Sequence, residues 1–202
     1  MGINELLSDK TEKKTLAILG DSKSGKTTFT KLLAQGILGE TDYARTVATT
    51  THKGRTITLK NDTKLHVGEL KDLPGEPSAW GSWKQRVQES DYVLYLIRSH
   101  LLRSGVGTTR DRCRRDLKQL KLWLEDMDKD SRPPVLLVFS FRDKDDKGQG
   151  GSVAYADELI KTAELKATVT AIGHLTPVHF VSGSLASQEA AIELLNAVCE
   201  EL

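Results

Sequence analysis

Short apolar runs alternate with amphipathic stretches along this chain. Four of these runs are typical of strands that are buried on both faces: TLAIL (15–19), YVLYLI (92–97), PVLLVF (134–139) and VHFVS (178–182). The amphipathic stretches predict helices, which we place at 26–38, 82–89, 109–127 and 187–202. Apolar strands that alternate with helices predict an α/β fold, with a mostly parallel sheet covered by helices on both faces.

One strand pair is predicted to be an antiparallel hairpin. RTITL (55–59) and KLHVGEL (64–70) flank KNDT (60–63), whose Asn-Asp pair is a turn signal. Together the strands predict a three-layer fold around a six-stranded sheet with one antiparallel strand. The long third helix is predicted to pack through its leucines: Leu117, Leu120, Leu122 and Leu124.

Composition and charge narrow the range of partners. The 202 residues include 29 Lys and Arg and 28 Asp and Glu, so the net charge of +1 gives no general reason to bind nucleic acid or an anionic membrane. No apolar run approaches the roughly 18 residues of a membrane span. Cys113 and Cys199 lie far apart, as buried thiols of a cytoplasmic protein would. We expect a flexible leader over 1–13 and one domain over 14–202.

A phosphate-binding loop stands between the first strand and the first helix. The segment matches GxxxxGK[ST], in the strand-to-helix context that the motif requires. Gly20 and Gly25 permit a backbone that turns its N–H groups inward, Lys26 neutralises phosphate charge, and the Thr27 hydroxyl is a Mg²⁺ ligand. The predicted nucleotide-binding residues of this loop are Gly20, Asp21, Ser22, Lys23, Ser24, Gly25, Lys26, Thr27 and Thr28.

A second element, DLPG (72–75), follows the hairpin. Asp72 at the end of a strand is suited to hold the water shell of Mg²⁺, and the Gly75 N–H to contact a γ-phosphate. Here the chain resembles the small GTPases of the Ras and Arf type, because the phosphate loop, a Thr-rich segment, the hairpin and DLPG follow in the order of that family. Ser22 departs from it, since Ras-like loops carry Gly and Arf-like loops carry Asp at this position.

The resemblance implies the P-loop NTPase fold and a molecular switch that binds GTP or GDP with Mg²⁺. It also implies a protein effector or activator at the switch regions. If Trp80 is aligned with the Trp of the switch helix in Arf-like proteins, the residue that falls in the place of Asp72 is Glu69. We prefer Asp72 because Pro74 and Gly75 mark the end of the strand there.

The Thr-rich segment should supply the residue that closes over Mg²⁺ and the γ-phosphate. Thr49, Thr50 and Thr51 all qualify, and the family spacing back from Asp72 favours Thr50 or Thr51 as the metal ligand. The alternative is that this segment is only a polar loop.

Glu76 stands where most members of the family carry a Gln that orients the attacking water. A carboxylate beside a γ-phosphate adds like charge, so the resemblance, with this departure, predicts slow hydrolysis. The predicted catalytic residues are Lys26, Gly75 and Glu76. The alternative is that Glu76 only begins the next helix, where an acidic residue is favoured by the helix dipole.

Base recognition has two possible registers after the strand PVLLVF. Guanine-specific members carry N/T-K-x-D there, and this chain carries SFRDKDDKG (140–148). Distance from the strand favours Asp143, whereas residue type favours Lys144 with Asp146. A solvated charge run is the alternative to both. The later FVSGS resembles the second base loop of the family, with Ser182 and Gly183 near the base.

Two other functions compete with the switch. In a small-molecule or nucleotide kinase, RSGVGTTRDRCRR (103–115) would be an Arg-rich lid, although the hairpin before DLPG argues against this. The second competing function is that of a pseudo-GTPase that serves as an interaction module. If the protein is not a kinase, we expect the arginines of this segment to form a solvated, salt-bridged helix face. They are Arg110, Arg112, Arg114 and Arg115.

Overall fold

We analysed the chain as a computed structural model. It describes residues 13–36, 38, 46, 48–58, 64–145, 151–160 and 163–202. All but one residue of the predicted leader lies outside this part of the chain. Its strands, in chain order, are β1 (Leu16–Gly20), β2 (Thr50–His52), β3 (Thr56–Thr58), β4 (Lys64–His66), β5 (Leu70–Asp72), β6 (Tyr92–Arg98), β7 (Val135–Ser140) and β8 (Val178–Ser182).

The helices connect these strands and cover them. They are α1 (Lys26–Gln35), α2 (Trp80–Gln88), α3 (Ser99–Arg103), α4 (Gly107–Glu125), α5 (Ser152–Ile160), α6 (Ala163–Gly173) and α7 (Gln188–Cys199). None of the described helices combines the length and the apolar character needed to cross a membrane.

The central sheet is parallel and has the order β1-β6-β7-β8. Side chains alternate across it, since Val93, Tyr95 and Ile97 of β6 belong to one buried cluster and Leu94 and Leu96 belong to the other. Helices α2, α4, α5 and α6 contribute to the first cluster, and α1 and α7 to the second. The predicted three-layer α/β fold is confirmed.

The strand count differs from the prediction of one six-stranded sheet. Four strands form the parallel sheet, while β2 pairs with β5 and β3 pairs with β4, both antiparallel. A parallel bridge between Lys14 and Val67 links the second hairpin strand to the start of β1. The four outer strands have only three residues each, because few of their side chains are buried. The strands of the predicted hairpin are confirmed, and its turn lies outside the described residues.

Three local predictions need correction. Helix α1 ends at Gln35 rather than at residue 38, because Gly36 adopts φ 80° and its N–H donates to the Leu32 carbonyl at 2.8 Å. Leu122 on α4 is 51% exposed, so it does not belong to the packed face. Helices α3, α5 and α6 were not predicted. Both cysteines are free and buried, as expected.

Candidate nucleotide-binding site

The phosphate loop joins β1 to α1 and depends on two glycines. Gly20 has φ 142° and Gly25 has φ 96°, conformations that other residues rarely adopt. A Cβ added at Gly20 would lie 2.5 Å from the Leu96 carbonyl oxygen, and one at Gly25 would lie 2.9 Å from the Leu185 side chain. Gly25 is also the residue that precedes the first turn of α1, so the N–H groups of that turn point into the loop.

Lys26 is the buried cation of this loop. Its side chain is nearly inaccessible to solvent, and Nζ donates to the Asp21 carbonyl at 2.8 Å. Burial lowers the pKa of Lys26 to about 8, although the nearby charges of Asp72 and Asp21 raise it. A bound anion would therefore favour the charged form of this lysine.

A carboxylate occupies the second position of the loop. The Asp21 side chain accepts from the Ser22 N–H at 2.7 Å and from Arg98 Nη2 at 2.6 Å. Arg112 Nη1 lies 3.9 Å from the same carboxylate. The two arginines offset a negative charge that would otherwise oppose phosphate binding.

Three oxygen-bearing side chains meet at the start of α1. Thr27 Oγ1 donates to Asp72 Oδ2 at 2.7 Å, and Thr46 Oγ1 lies 2.7 Å from Thr27 Oγ1 and 3.1 Å from Asp72 Oδ2. Asp72 is buried, and its Oδ1 has no hydrogen-bond partner among the residues that the structure describes. Carboxylate and hydroxyl oxygens are ligands that Mg²⁺ prefers. Because only a few protein oxygens meet here, coordination positions are left for water and phosphate. Within the same part of the chain, three or more His, Cys, Asp or Glu side chains nowhere gather as a metal cluster.

The structure brings Thr46, and not Thr50 or Thr51, into contact with Thr27 and Asp72. Those two threonines lie in β2, opposite Asp72 and Lys71 in the strand register, and both are exposed. Strand pairing fixes their backbone, whereas Thr46 precedes the strand and contacts both Thr27 and Asp72.

The DLPG segment lies directly on the phosphate loop. Gly75 is buried, and a Cβ added to it would lie 2.5 Å from the Ser22 nitrogen and 2.7 Å from Lys26 Nζ. Glu76 follows and precedes a 3-10 turn, Pro77–Ala79, in which the Glu76 carbonyl accepts from the Ala79 N–H at 2.9 Å.

A groove of about 410 Å³ opens beside this segment. Its walls come from both sides of the site: Thr46, Ala48, Thr49, Pro74, Glu76, Ser78, Ala79 and Ser82. The groove therefore joins the Thr-rich segment to the start of α2.

The other end of the site is formed by the loops after β7 and β8. Ser140 Oγ donates to the Ser24 carbonyl at 2.9 Å and so ties the end of β7 to the phosphate loop. Ser184 Oγ donates to Asp143 Oδ1, which connects the loop after β7 to the loop after β8. Arg142 Nη1 donates to Ser182 Oγ at 2.9 Å.

The remaining residues that we predicted to contact the nucleotide base lie in different surroundings. Gly183 lies between the two loops, where its N–H donates to the Phe139 carbonyl at 3.1 Å and its carbonyl accepts from Arg142. Lys144 is exposed, with Nζ 5.1 Å from the centre of the Phe141 ring. Asp146 lies outside the described residues.

The sequence interpretation missed five residues that the fold brings to this site: Thr46, Arg98, Arg112, Ser140 and Ser184. Ser140 and Ser184 were detectable, because Ser140 ends β7 and Ser184 lies two residues beyond the end of β8, at the edge where α/β proteins bind ligands. Arg98 carried the same signal, because it ends the buried strand β6, whereas Arg112 lies within α4 and did not.

The structure is similar to two solved structures over nearly their whole length. One is the structure of the mammalian SRP receptor, with 18% identity over 92% of this chain and 98% of that chain and a TM-score of 0.61. The other is the Arl6 BBS3 small GTPase from Trypanosoma brucei with the bound nucleotide analogue GppNp, with 16% identity, coverage of 94% and 97%, and a TM-score of 0.58.

These likenesses define the fold class. The chain has the fold of P-loop GTPases of the Ras and Arf type, and the predicted resemblance is confirmed at that level. No protein-family model matches the sequence, and no curated protein matches it.

Proposed function

We propose that this protein is a Mg²⁺-dependent molecular switch that binds GTP and GDP and hydrolyses GTP slowly. The observation that carries the proposal is the contact of Thr27 with the buried Asp72 at the end of the phosphate loop. A neutral hydroxyl and a half-satisfied carboxylate at a helix N-terminus suit a divalent ion that is shared with phosphate.

The phosphates would bind along the loop from Gly20 to Thr28. Its amides and the dipole of α1 favour anions, and Lys26 would exchange its bond to the Asp21 carbonyl for a phosphate oxygen. Thr27 and Asp72 would hold Mg²⁺, with Thr46 rather than Thr50 or Thr51 closing over it. The ion would supply positive charge between the outer phosphates.

The base would lie between the loops after β7 and β8. The bond from Ser184 to Asp143 fixes one carboxylate oxygen beside the second base loop. A carboxylate held there accepts from the two ring-edge donors of guanine and faces a lone pair on adenine, so it selects guanine. We therefore assign the base to Asp143, with Ser182 and Gly183 alongside, in preference to Lys144 and Asp146.

Hydrolysis would depend on residues beside the terminal phosphate. Lys26 would offset charge on the departing diphosphate, the Gly75 N–H would contact the γ-phosphate, and Glu76 would disfavour water attack through its charge. An effector or activator protein would bind the groove between the Thr-rich segment and α2, whose walls include Thr46 and Glu76.

The kinase alternative loses its Arg-rich lid. Residues 103–115 span the end of α3 and the first half of α4, and Arg112 is buried. Arg103 is paired with Asp145 and Glu158. These arginines are held by partners within the chain, which leaves them unsuited to close over a transferred phosphate.

The proposal is tested by releasing and identifying bound nucleotide, then measuring affinity. Mass spectrometry of the denatured protein should find GDP or GTP. In Mg²⁺ buffer, Lys26→Ala should abolish calorimetric binding without unfolding the protein, whereas Lys31→Ala on the same helix should bind normally. Unchanged affinity in Lys26→Ala would contradict the proposal, and a folded wild type that binds no nucleotide would favour the interaction-module alternative.

A further inference from the structure

The Pro74–Gly75 segment lies close to two donors of the phosphate loop. A Cβ added to Gly75 would meet the Ser22 nitrogen at 2.5 Å and Lys26 Nζ at 2.7 Å, so no phosphate oxygen fits between Gly75 and these two groups. A terminal phosphate that accepts from both donors must therefore displace the Pro74–Gly75 peptide. A diphosphate that ends deeper in the loop need not displace it.

The Pro74–Gly75 peptide is held from behind by Trp83. The Trp83 indole Nε1 donates to the Pro74 carbonyl at 3.0 Å. Trp83 is only 1% exposed, so moving Pro74 away would leave a buried indole N–H without its acceptor.

Trp83 is in turn held by Arg112. The Arg112 guanidinium carbon lies 5.8 Å from the centre of the Trp83 ring, within the range of a cation–π contact. Arg112 Nε donates to Asp116 at 2.8 Å, and Asp116 also accepts from Trp80 Nε1 at 3.1 Å. Helix α2 is therefore bound to α4 through both of its indoles.

The contacts close a ring on the phosphate loop. Arg112 Nη1 lies 3.9 Å from Asp21, which belongs to the same loop that Gly75 covers. The ring therefore runs from Gly75 through Pro74, Trp83 and Arg112 back to Asp21. Such a ring resists the displacement of any one member, because Gly75, Trp83 and Arg112 are buried and packed.

We propose that Trp83 and Arg112 are positioning residues that latch Pro74–Gly75 onto the phosphate loop and thereby lower the affinity for a nucleoside triphosphate relative to the diphosphate. The proposal rests on the nucleotide-binding function proposed above. The latch stabilises one of two arrangements of the Pro74–Gly75 segment. A ligand that requires the other arrangement must offset the free-energy difference between them.

The test compares the two affinities in Trp83→Phe, which removes the indole N–H and keeps an aromatic ring. GDP affinity should stay within about twofold of the wild-type value, and the affinity for a non-hydrolysable GTP analogue should rise about fivefold, the change expected from one lost hydrogen bond. Trp123→Phe is the matched control, because Trp123 is a buried indole of α4 in the same core. It should leave the ratio of the two affinities unchanged.

Arg112→Lys provides a second, conservative variant. It keeps the charge beside Asp21 and Asp116 but loses the planar group that faces Trp83, so the ratio should shift in the same direction. Amide hydrogen exchange at residues 75 and 76 in the GDP-bound protein should also become faster in both variants. An unchanged ratio and unchanged exchange in Trp83→Phe, with GDP binding within about twofold of the wild-type value, would overturn the latch and leave the proposed switch intact.

Discussion

Thr27 and Asp72 are 45 positions apart in the chain, yet Thr27 Oγ1 donates to Asp72 Oδ2 at 2.7 Å. The contact joins the first residues of α1 to the last residue of β5, so the phosphate loop and the DLPG segment meet at one point. Thr46 completes this corner of the site. Because Thr46 contacts both Thr27 and Asp72, we expect its hydroxyl to contribute to nucleotide binding.

Thr46→Val should weaken the binding of a non-hydrolysable GTP analogue by about 1 kcal/mol, because a hydroxyl that contacts both Thr27 and Asp72 is lost. Thr50→Val and Thr51→Val should change affinity much less, since both side chains are exposed on β2. Calorimetry in Mg²⁺ buffer gives the three values. A larger loss in either strand variant would return the role to β2.

Asp143→Asn should weaken guanine nucleotides by about 1–3 kcal/mol, the usual cost of leaving polar groups unpaired once a ligand covers them. Ser184→Ala should have a smaller effect in the same direction, because it removes the donor that holds Asp143. Asp146→Asn is the control and should do little. If Asp146→Asn had the larger effect, the register with Lys144 and Asp146 would read the base. Equal competition by ATP in the wild type would show that the site does not select guanine.

Glu76→Gln should raise GTP turnover, by about tenfold if the carboxylate adds about 1.4 kcal/mol to the barrier. The physical reason is the loss of like charge beside the terminal phosphate. Single-turnover hydrolysis measures the effect, with Glu89→Gln at the other end of α2 as the control. Slower turnover would instead make Glu76 a general base, and an unchanged rate would limit it to its place before the 3-10 turn.

Nucleotide affinity should fall as pH rises through about 8, the pKa to which burial lowers Lys26. Phosphate favours the charged lysine, so binding above this pH must be accompanied by proton uptake. Calorimetry in buffers of different ionisation enthalpy measures that uptake directly. A constant affinity over roughly pH 7.5 to 9 would show that phosphate does not depend on the charge of Lys26.

Lys26 should affect the stability of the folded protein in the opposite direction: affinity falls as pH rises, whereas the free energy of unfolding increases. The pKa of Lys26 is depressed in the folded protein, from 10.5 to about 8, so the unfolded chain holds more protons between these values. Its contribution to the free energy of unfolding therefore increases as pH rises across that window.

The phosphate loop could be predicted from the sequence because its requirements are local. Gly20, Gly25 and Lys26 lie within seven consecutive residues, and the strand and helix that orient them are adjacent in the chain. The buried strands were predictable for the same reason, since a run of apolar residues needs no distant partner to identify it. The choice of Asp143 over Asp146 as the residue that reads the base depends on its distance from the end of β7, and it stays a prediction.

Residues without periodicity could not be placed from the sequence. The Thr-rich segment has several equivalent hydroxyls, and only the pairing of β2 with β5 separates Thr46 from Thr50 and Thr51. The charged residues before α5 hid the helices that follow, because composition there is typical of a loop.

The arginines of α4 show what only the tertiary structure decided. The sequence predicts a solvated, salt-bridged face, and Arg114 with Asp111 fits that prediction. Arg112, two positions before Arg114, is instead buried between Asp116, Trp83 and the phosphate loop. Whether an arginine is solvated or buried depends on the charges and rings that other elements bring to it, and those elements are distant in the sequence.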